Sequence, residues 1–206
     1  MPKPGSMFTR QVLAICGAVL VALLSGWTAG YAVAQVVQQD STALQEFNTR
    51  VQTYVNLHKR IAASLPPIPQ SSDPAVILKR QQDFASSMRA ARANAAKGDV
   101  FIPGVRPVFL KIIKEELSGP SAAQARNLIL GEGNPKSAES PATVVLKVNE
   151  PYPSTAPLST VPPLLLLRLP KVPEQLDYRF VGRTLILRDT KANVIVDLLP
   201  EAVSSQ

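Results

Sequence analysis

Between Thr42 and Leu65 the side chains Leu44, Phe47, Val51, Tyr54, His58, Ile61 and Leu65 recur in alternating steps of three and four residues. That spacing lays them along one seam of a long amphipathic helix, of the kind that pairs with a second helix in a coiled-coil-like contact. Ser41 or Thr42 supplies a cap, with Gln45 or Glu46 following at capping distance. The prolines of Pro66–Asp73 stop this helix, and Asp73 before Pro74 opens another. The second helix is predicted to run from Ala75 through Lys97, with Ile77, Phe84, Met88, Ala91 and Ala95 packed and Lys79, Arg80, Arg89 and Arg92 exposed. Neither stripe can bury itself, so the two helices are expected to form an antiparallel hairpin.

Beyond Gly98 the predicted elements are shorter. VFLKIIKEEL, Val108 to Leu117, places Phe109, Ile112, Ile113 and Leu117 on one helical face and sets Lys111 to pair with Glu115. SAAQARNLILGEG predicts a short helix with Gly131 or Gly133 as its left-handed exit. ATVVLKV, Ala142 to Val148, has strand composition, and the Pro-rich passage PYPSTAPLSTVPP reads as a stiff crossover before Leu164–Leu169 returns to the core. As an extended proline segment it could equally be a ligand for another protein.

LDYRFV, RTLILR and NVIVDLL then alternate with a period of two. Tyr178 with Phe180, Leu185 with Leu187, and Val194 with Val196 and Leu198 are each assigned to a common face. Gly182-Arg183 and Asp189–Asn193 supply the reversals of an antiparallel meander. The fold class is therefore α+β: a helical hairpin over 35–98 and a small domain over 99–206 that ends in the meander.

The first residues change the picture by suggesting an address. Lys3 and Arg10 precede the apolar run Val12–Leu24, and Ala32-Val33-Ala34 forms an Ala-x-Ala site before Gln35. Residues 1–34 are thus expected to be a signal peptide, cleaved to release the chain into the periplasm or medium. The alternative expectation is a retained transmembrane helix over Val12–Val37, with 35–206 outside the cytoplasm. Cys16, the sole cysteine, follows Ile15 within the apolar run, a context unsuited to lipid attachment. The processed chain would hold no thiol, which excludes disulfides, a thiolate nucleophile and a Cys-ligated metal.

Charge and motifs narrow the function classes further. Residues 35–97 carry 8 Lys or Arg against 4 Asp or Glu, whereas 98–206 carry 12 against 11. This excess favours an anionic surface as a partner, but no dense basic stripe with interleaved aromatics marks a nucleic-acid interface. Neither GVRP nor LSGPS is a phosphate-cradling loop, and LLSGW lacks the G-x-S-x-G pattern.

His58, the single histidine, has no neighbouring His or Cys at ligand spacing and is best explained as a packed polar or interface residue on the seam beside Tyr54. If partly buried there, its protonation on acidification would weaken helix pairing. Asp189 and Asp197 offer the two carboxylates a glycosidase needs, although a turn and a strand edge explain them more simply. In that simpler account Asp189 accepts local backbone hydrogen bonds, and Asp197 points away from Val196 and Leu198. Adjacent Glu115 and Glu116 suit solvation or ion pairing. Arg179, Arg183 and Arg188 form a candidate anion-binding patch, or else the wet face of the sheet.

GDVFIPGVRPVFLKIIKEELSGP and LDYRFVGRTLILRDTKANVIVDLLP together resemble uncharacterised exported bacterial proteins in which a helical region precedes a C-terminal meander. The resemblance implies export and brings no activity, cofactor or site residue. The chain is accordingly expected to be a noncatalytic envelope protein without a cofactor or metal. Its partner would be another envelope protein or an anionic surface, engaged through Tyr54, His58, Arg179, Arg183 and Arg188, with self-association through the helices also open. The alternative is a hydrolase whose site is assembled only in three dimensions.

Overall fold

A computed structural model describes residues 38–66, 73–132, 145–153 and 160–204. Contacts divide the chain into Met1–Thr42 and Ala43–Gln206. Of the first unit only 38–42 are described, and they are helical. The export segment and the Ala-x-Ala site lie outside the described residues. One expectation is corrected: no helix among the described residues is long and apolar enough to cross a membrane, and Val12–Val37, which prompted that expectation, is not among them.

Helix α1 spans 38–64. Its predicted seam is the buried side: Phe47, Val51, Tyr54 and His58 are withdrawn from solvent and Leu44, Ile61 and Leu65 are half-buried, while Val55, outside the predicted seam, is buried beside them. Helix α2 is Pro74–Ala91, opened as expected by Asp73, whose carboxylate accepts from the Ala75 N–H at 2.9 Å with proline in the first turn. His58 meets Phe84 edge-on at 4.8 Å and the Arg92 guanidinium lies 5.1 Å from the centre of the Tyr54 ring, so α1 and α2 run antiparallel.

The end of α2 differs from the prediction. Arg92 leaves helical geometry at φ −118°, and the Asn149 amide donates to the carbonyls of Arg89 and Arg92 at 2.9 Å each. A side chain from a distant segment thus adds a second hydrogen bond to carbonyls at the helix end that already accept from the Arg92 and Ala95 N–H groups. Phe84 and Met88 are buried as predicted, whereas Ile77 and Ala91 are exposed. Arg92, expected in solvent, has a side chain only 11% exposed, because it turns inward to donate from Nη2 to the Val196 carbonyl at 3.0 Å.

Helix α3, Arg106–Glu116, buries Val108, Phe109 and Ile113. Helix α4, Ala122–Arg126, passes into a π-helical segment, Asn127–Glu132, that contains Gly131. Gly131 is not left-handed, and Gly133 lies outside the described residues. Residues 145–148 are irregular rather than stranded. The chain instead follows the edge of the third strand just beyond them, where the Asn149 N–H reaches the Ile195 carbonyl at 2.8 Å and the Tyr152 N–H reaches that of Asn193 at 2.8 Å. Helix α5, Pro163–Arg168, returns only Leu165 to the core, with Leu169 just beyond it.

The sheet is the expected meander of β1 (Leu176–Val181), β2 (Thr184–Asp189) and β3 (Val194–Leu199), in the order β1-β2-β3. Gly182 and Asn193 adopt positive φ, 54° and 52°, at the two reversals. One face packs with the helices, where Phe47, Phe101, Phe109 and Tyr178 form a chain of ring contacts at 5.0 to 6.1 Å. The opposite face is covered too, with Val181, Ile186, Ile195 and Leu198 packed beneath Leu146, Val148 and Tyr152.

A bulge in β3 alters one assignment. Leu187 pairs with Asp197 but Arg188 pairs with Ile195, so Val196 is the additional residue. Past the bulge the alternation inverts. Leu198 joins Ile186 and Ile195 on the far face, and Leu199 takes its place beside Val194 and Val196.

The inversion also re-aims Asp197 toward the helical side, where it is fully buried. Its Oδ1 accepts from the Gly98 and Leu198 N–H groups at 2.9 and 2.7 Å, and Oδ2 from Val100 and Phe101 at 2.7 Å each. Asp197→Asn sets an amide NH2 against two of these N–H groups. We expect it to cost roughly 2–5 kcal/mol, from two buried donors left unsatisfied. Urea unfolding would register this as a lower midpoint, and an unchanged midpoint would contradict the role given to the carboxylate.

Candidate functional site

The residues singled out on the first helix converge with one of the two aspartates. Tyr54 and His58, one turn apart on α1, face the sheet where Asp189 ends β2. Asp189 Oδ2 accepts from the Tyr54 hydroxyl at 2.8 Å and lies 2.6 Å from His58 Nδ1. Oδ1 accepts from the Lys191 and Ala192 N–H groups at 2.9 and 2.8 Å, the local backbone bonds expected from the turn sequence. Exposure is 5% for Tyr54, 2% for His58 and 0% for Asp189.

This geometry differs from a catalytic relay, in which a nucleophile bonds to a base that a third group orients. Here hydroxyl and imidazole both address the same carboxylate oxygen, so the tyrosine is not activated by the histidine. Burial, the Asp189 charge and the hydrogen bond to it all hold the Tyr54 proton more tightly than usual, with Arg92 acting in the opposite direction. His58 is packed as the helical seam implied. It faces a carboxylate, however, whereas the acid-weakening expectation rested on burial alone.

Asp189 and Asp197 are both 0% exposed and each already accepts several hydrogen bonds, so neither opens onto a substrate-sized space. Glu115 forms its ion pair with Arg168 of α5, and Glu116 accepts from the Ser121 hydroxyl at 3.2 Å and lies 3.5 Å from Arg168. Among the described residues no group of His, Cys, Asp and Glu is placed to hold a metal ion.

The sheet arginines separate into two groups. Arg179 and Arg188 share Asp177, with Arg188 contacting both of its oxygens at 3.1 and 2.8 Å and Arg179 one at 2.9 Å. The hydrogen bond to Asp177 leads in making the Arg188 guanidinium still harder to deprotonate. Arg183, at the first reversal, donates to the Val203 carbonyl at 2.7 Å and pairs with Glu201 at 2.6 Å. The structure brings Arg179 and Arg188 together around a carboxylate and leaves Arg183 apart.

A different basic cluster lay outside the candidates drawn from sequence. Arg50, Arg60 and Arg92 line a cleft of about 440 Å³ between α1 and the segment that follows α2, together with Tyr54, Leu57 and Asp99. The signal was faint: Arg50 and Arg60 lie ten positions apart on α1, and Arg92 looked like part of a solvated face.

No family model, curated protein or solved structure matches the chain. What its coordinates define is an α+β protein with an N-terminal helical bundle, a C-terminal three-stranded antiparallel meander and a closed tyrosine–aspartate–histidine cluster between them.

The cluster carries a pH dependence with a definite sign. An unfolded chain releases its tyrosine protons near pH 10, whereas burial raises both Tyr54 and Tyr178 in the folded state. The unfolded state therefore binds fewer protons in that range, and the contribution of these two tyrosines to stability is fully present below about pH 10 and is lost as pH rises through it. Tyr54→Phe should cost about 1–2 kcal/mol at pH 7 through the lost hydrogen bond. It should also flatten the alkaline decline measured by urea unfolding between pH 8 and 11. An equally steep decline in the variant would remove Tyr54 as a contributor.

Proposed function

We propose that this chain is an exported, noncatalytic protein of the cell envelope that engages another protein. The observation that carries this reading is the outward face of α5, where Leu164, Leu166 and Leu167 are 53%, 51% and 80% exposed on a single short helix. A lone surface leucine needs no explanation, but three within four residues make an apolar ridge of the kind partners cover. Leu165 and Leu169 anchor the helix beneath, and Arg168 holds it to Glu115 and Glu116. The ridge is thus presented on a fixed base rather than on a free loop.

Export is supported by the charged flank Lys3 and Arg10, the apolar run Val12–Leu24, and a remainder without cysteine. The likeness of 98–120 and 176–200 to uncharacterised exported bacterial proteins points the same way.

Affinity capture from native envelope extracts of the producing cell, with wild type and a Leu164→Ser/Leu166→Ser/Leu167→Ser variant, tests the partner. We expect one specific protein recovered by the wild type and depleted at least tenfold in the variant, which should keep its far-UV circular dichroism. Equal recovery by both proteins, or turnover of a defined substrate without any recovery, would replace this function. N-terminal sequencing of the mature protein tests the address: it should begin at Gln35, and an intact chain dissolved in the cytoplasm would contradict export.

A further inference from the structure

From the cleft beside α1 we infer a binding site for a small amphiphilic anion: an oxyanion head, carboxylate or phosphate, carried on a short apolar stem. The inference is independent of the α5 ridge. Three guanidinium groups line the cleft against a single carboxylate, Asp99. Arg50 is largely committed, donating to Glu46 at 2.9 Å and to the Asp99 carbonyl at 2.8 Å. Asp99 is also engaged, its Oδ2 accepting from the Ala96 N–H at 3.0 Å and standing 3.7 Å from Arg92. With Glu46 on Arg50 and Asp99 near Arg92, the uncompensated positive charge is that of Arg60, which is exposed and pairs with no acid among the described residues.

Arg92 gives the second argument. Its Nη2 is satisfied by the Val196 carbonyl, yet its Nη1 is buried and finds no hydrogen-bond partner among the described residues. An orphaned cationic N–H closed off from solvent offers a ligand no direct contact, but its weakly screened charge adds positive potential to the cleft beside it. The guanidinium is also held in place, by the carbonyl on one side and the Tyr54 ring 5.1 Å away. A charge fixed in advance loses little freedom when a ligand arrives.

The walls set the ligand's other half. Leu57 and Val100 line the same cleft. A space of about 440 Å³ suits a small molecule rather than a bare ion. An oxyanion joined to an aromatic ring or short alkyl stem can meet the arginines and cover this apolar surface together.

Isothermal titration of the full chain with phenyl phosphate, inorganic phosphate and benzyl alcohol separates head from stem. Phenyl phosphate should bind saturably, inorganic phosphate at least tenfold more weakly, and benzyl alcohol not measurably. Arg60→Glu reverses an exposed charge and should weaken phenyl phosphate at least tenfold with the fold intact. Arg92→Gln, which removes the charge beside the cleft, should also weaken it. If Arg92→Gln fails to fold, Arg60→Glu alone decides. Absence of saturable binding to the wild type, or unchanged affinity in folded Arg60→Glu, would overturn the site. Inorganic phosphate binding as tightly as phenyl phosphate would overturn the role of the apolar walls.

Discussion

The Asp197 carboxylate is the interaction on which the other contacts depend. A buried charge in a small core is tolerated only when its lone pairs are filled, and four backbone N–H groups fill them here. Three of those donors belong to Gly98, Val100 and Phe101, the segment joining the second helix to the third. The carboxylate therefore fastens a helix–helix junction to the middle of a strand. Phe101, held at that point, packs against both Phe47 of α1 and Phe109 of α3, which also meet each other directly.

Asp189 repeats the device at the other end of the sheet. One of its oxygens closes the β2–β3 turn through two N–H groups, and the other receives Tyr54 and His58 from α1. Two acids thus bind helices to a three-stranded sheet in a chain whose described residues contain no cysteine. Hydrogen bonds to ionised groups are stronger than neutral ones, and their directionality selects one docking of helix on strand where apolar contact alone would accept several. Residues that resemble catalytic candidates by type are consumed in this attachment, which is why function has to be sought on the surface.

The helices and strands were legible in the sequence because each carries a local period. The α1 seam needed only three-four spacing, the α2 start only Asp73-Pro74, and the reversals only Gly182 and the Asp189–Asn193 turn. What escaped detection was nonlocal. One inserted residue at Val196 inverts the parity of everything after it, so Leu198 and Asp197 exchange the faces that alternation assigns. The helical period continues smoothly past Ala91, but Asn149, which also bonds to the last carbonyls, is separated from Arg89 by 60 positions. The approach of Asp189 to His58 spans 131 positions and leaves no trace in either neighbourhood. Arg92 was misplaced for the same reason: its inward turn follows from the helix end that the local pattern does not contain.

The distribution of charge gives these misplaced residues their meaning. On the sheet the cations are answered nearby, Arg179 and Arg188 by Asp177 and Arg183 by Glu201. On the helices Lys79 has Asp83 and Arg89 has Glu150. The basic excess of 35–97 therefore does not spread evenly; part of it gathers where α1 passes the end of α2, around a guanidinium that the core holds rigid and leaves one donor short. A solvated arginine would lower its free energy by turning toward water. Arg92 cannot, because the Val196 carbonyl it holds belongs to the bulged strand that also carries Asp197, and releasing one would loosen the junction fastened by the other.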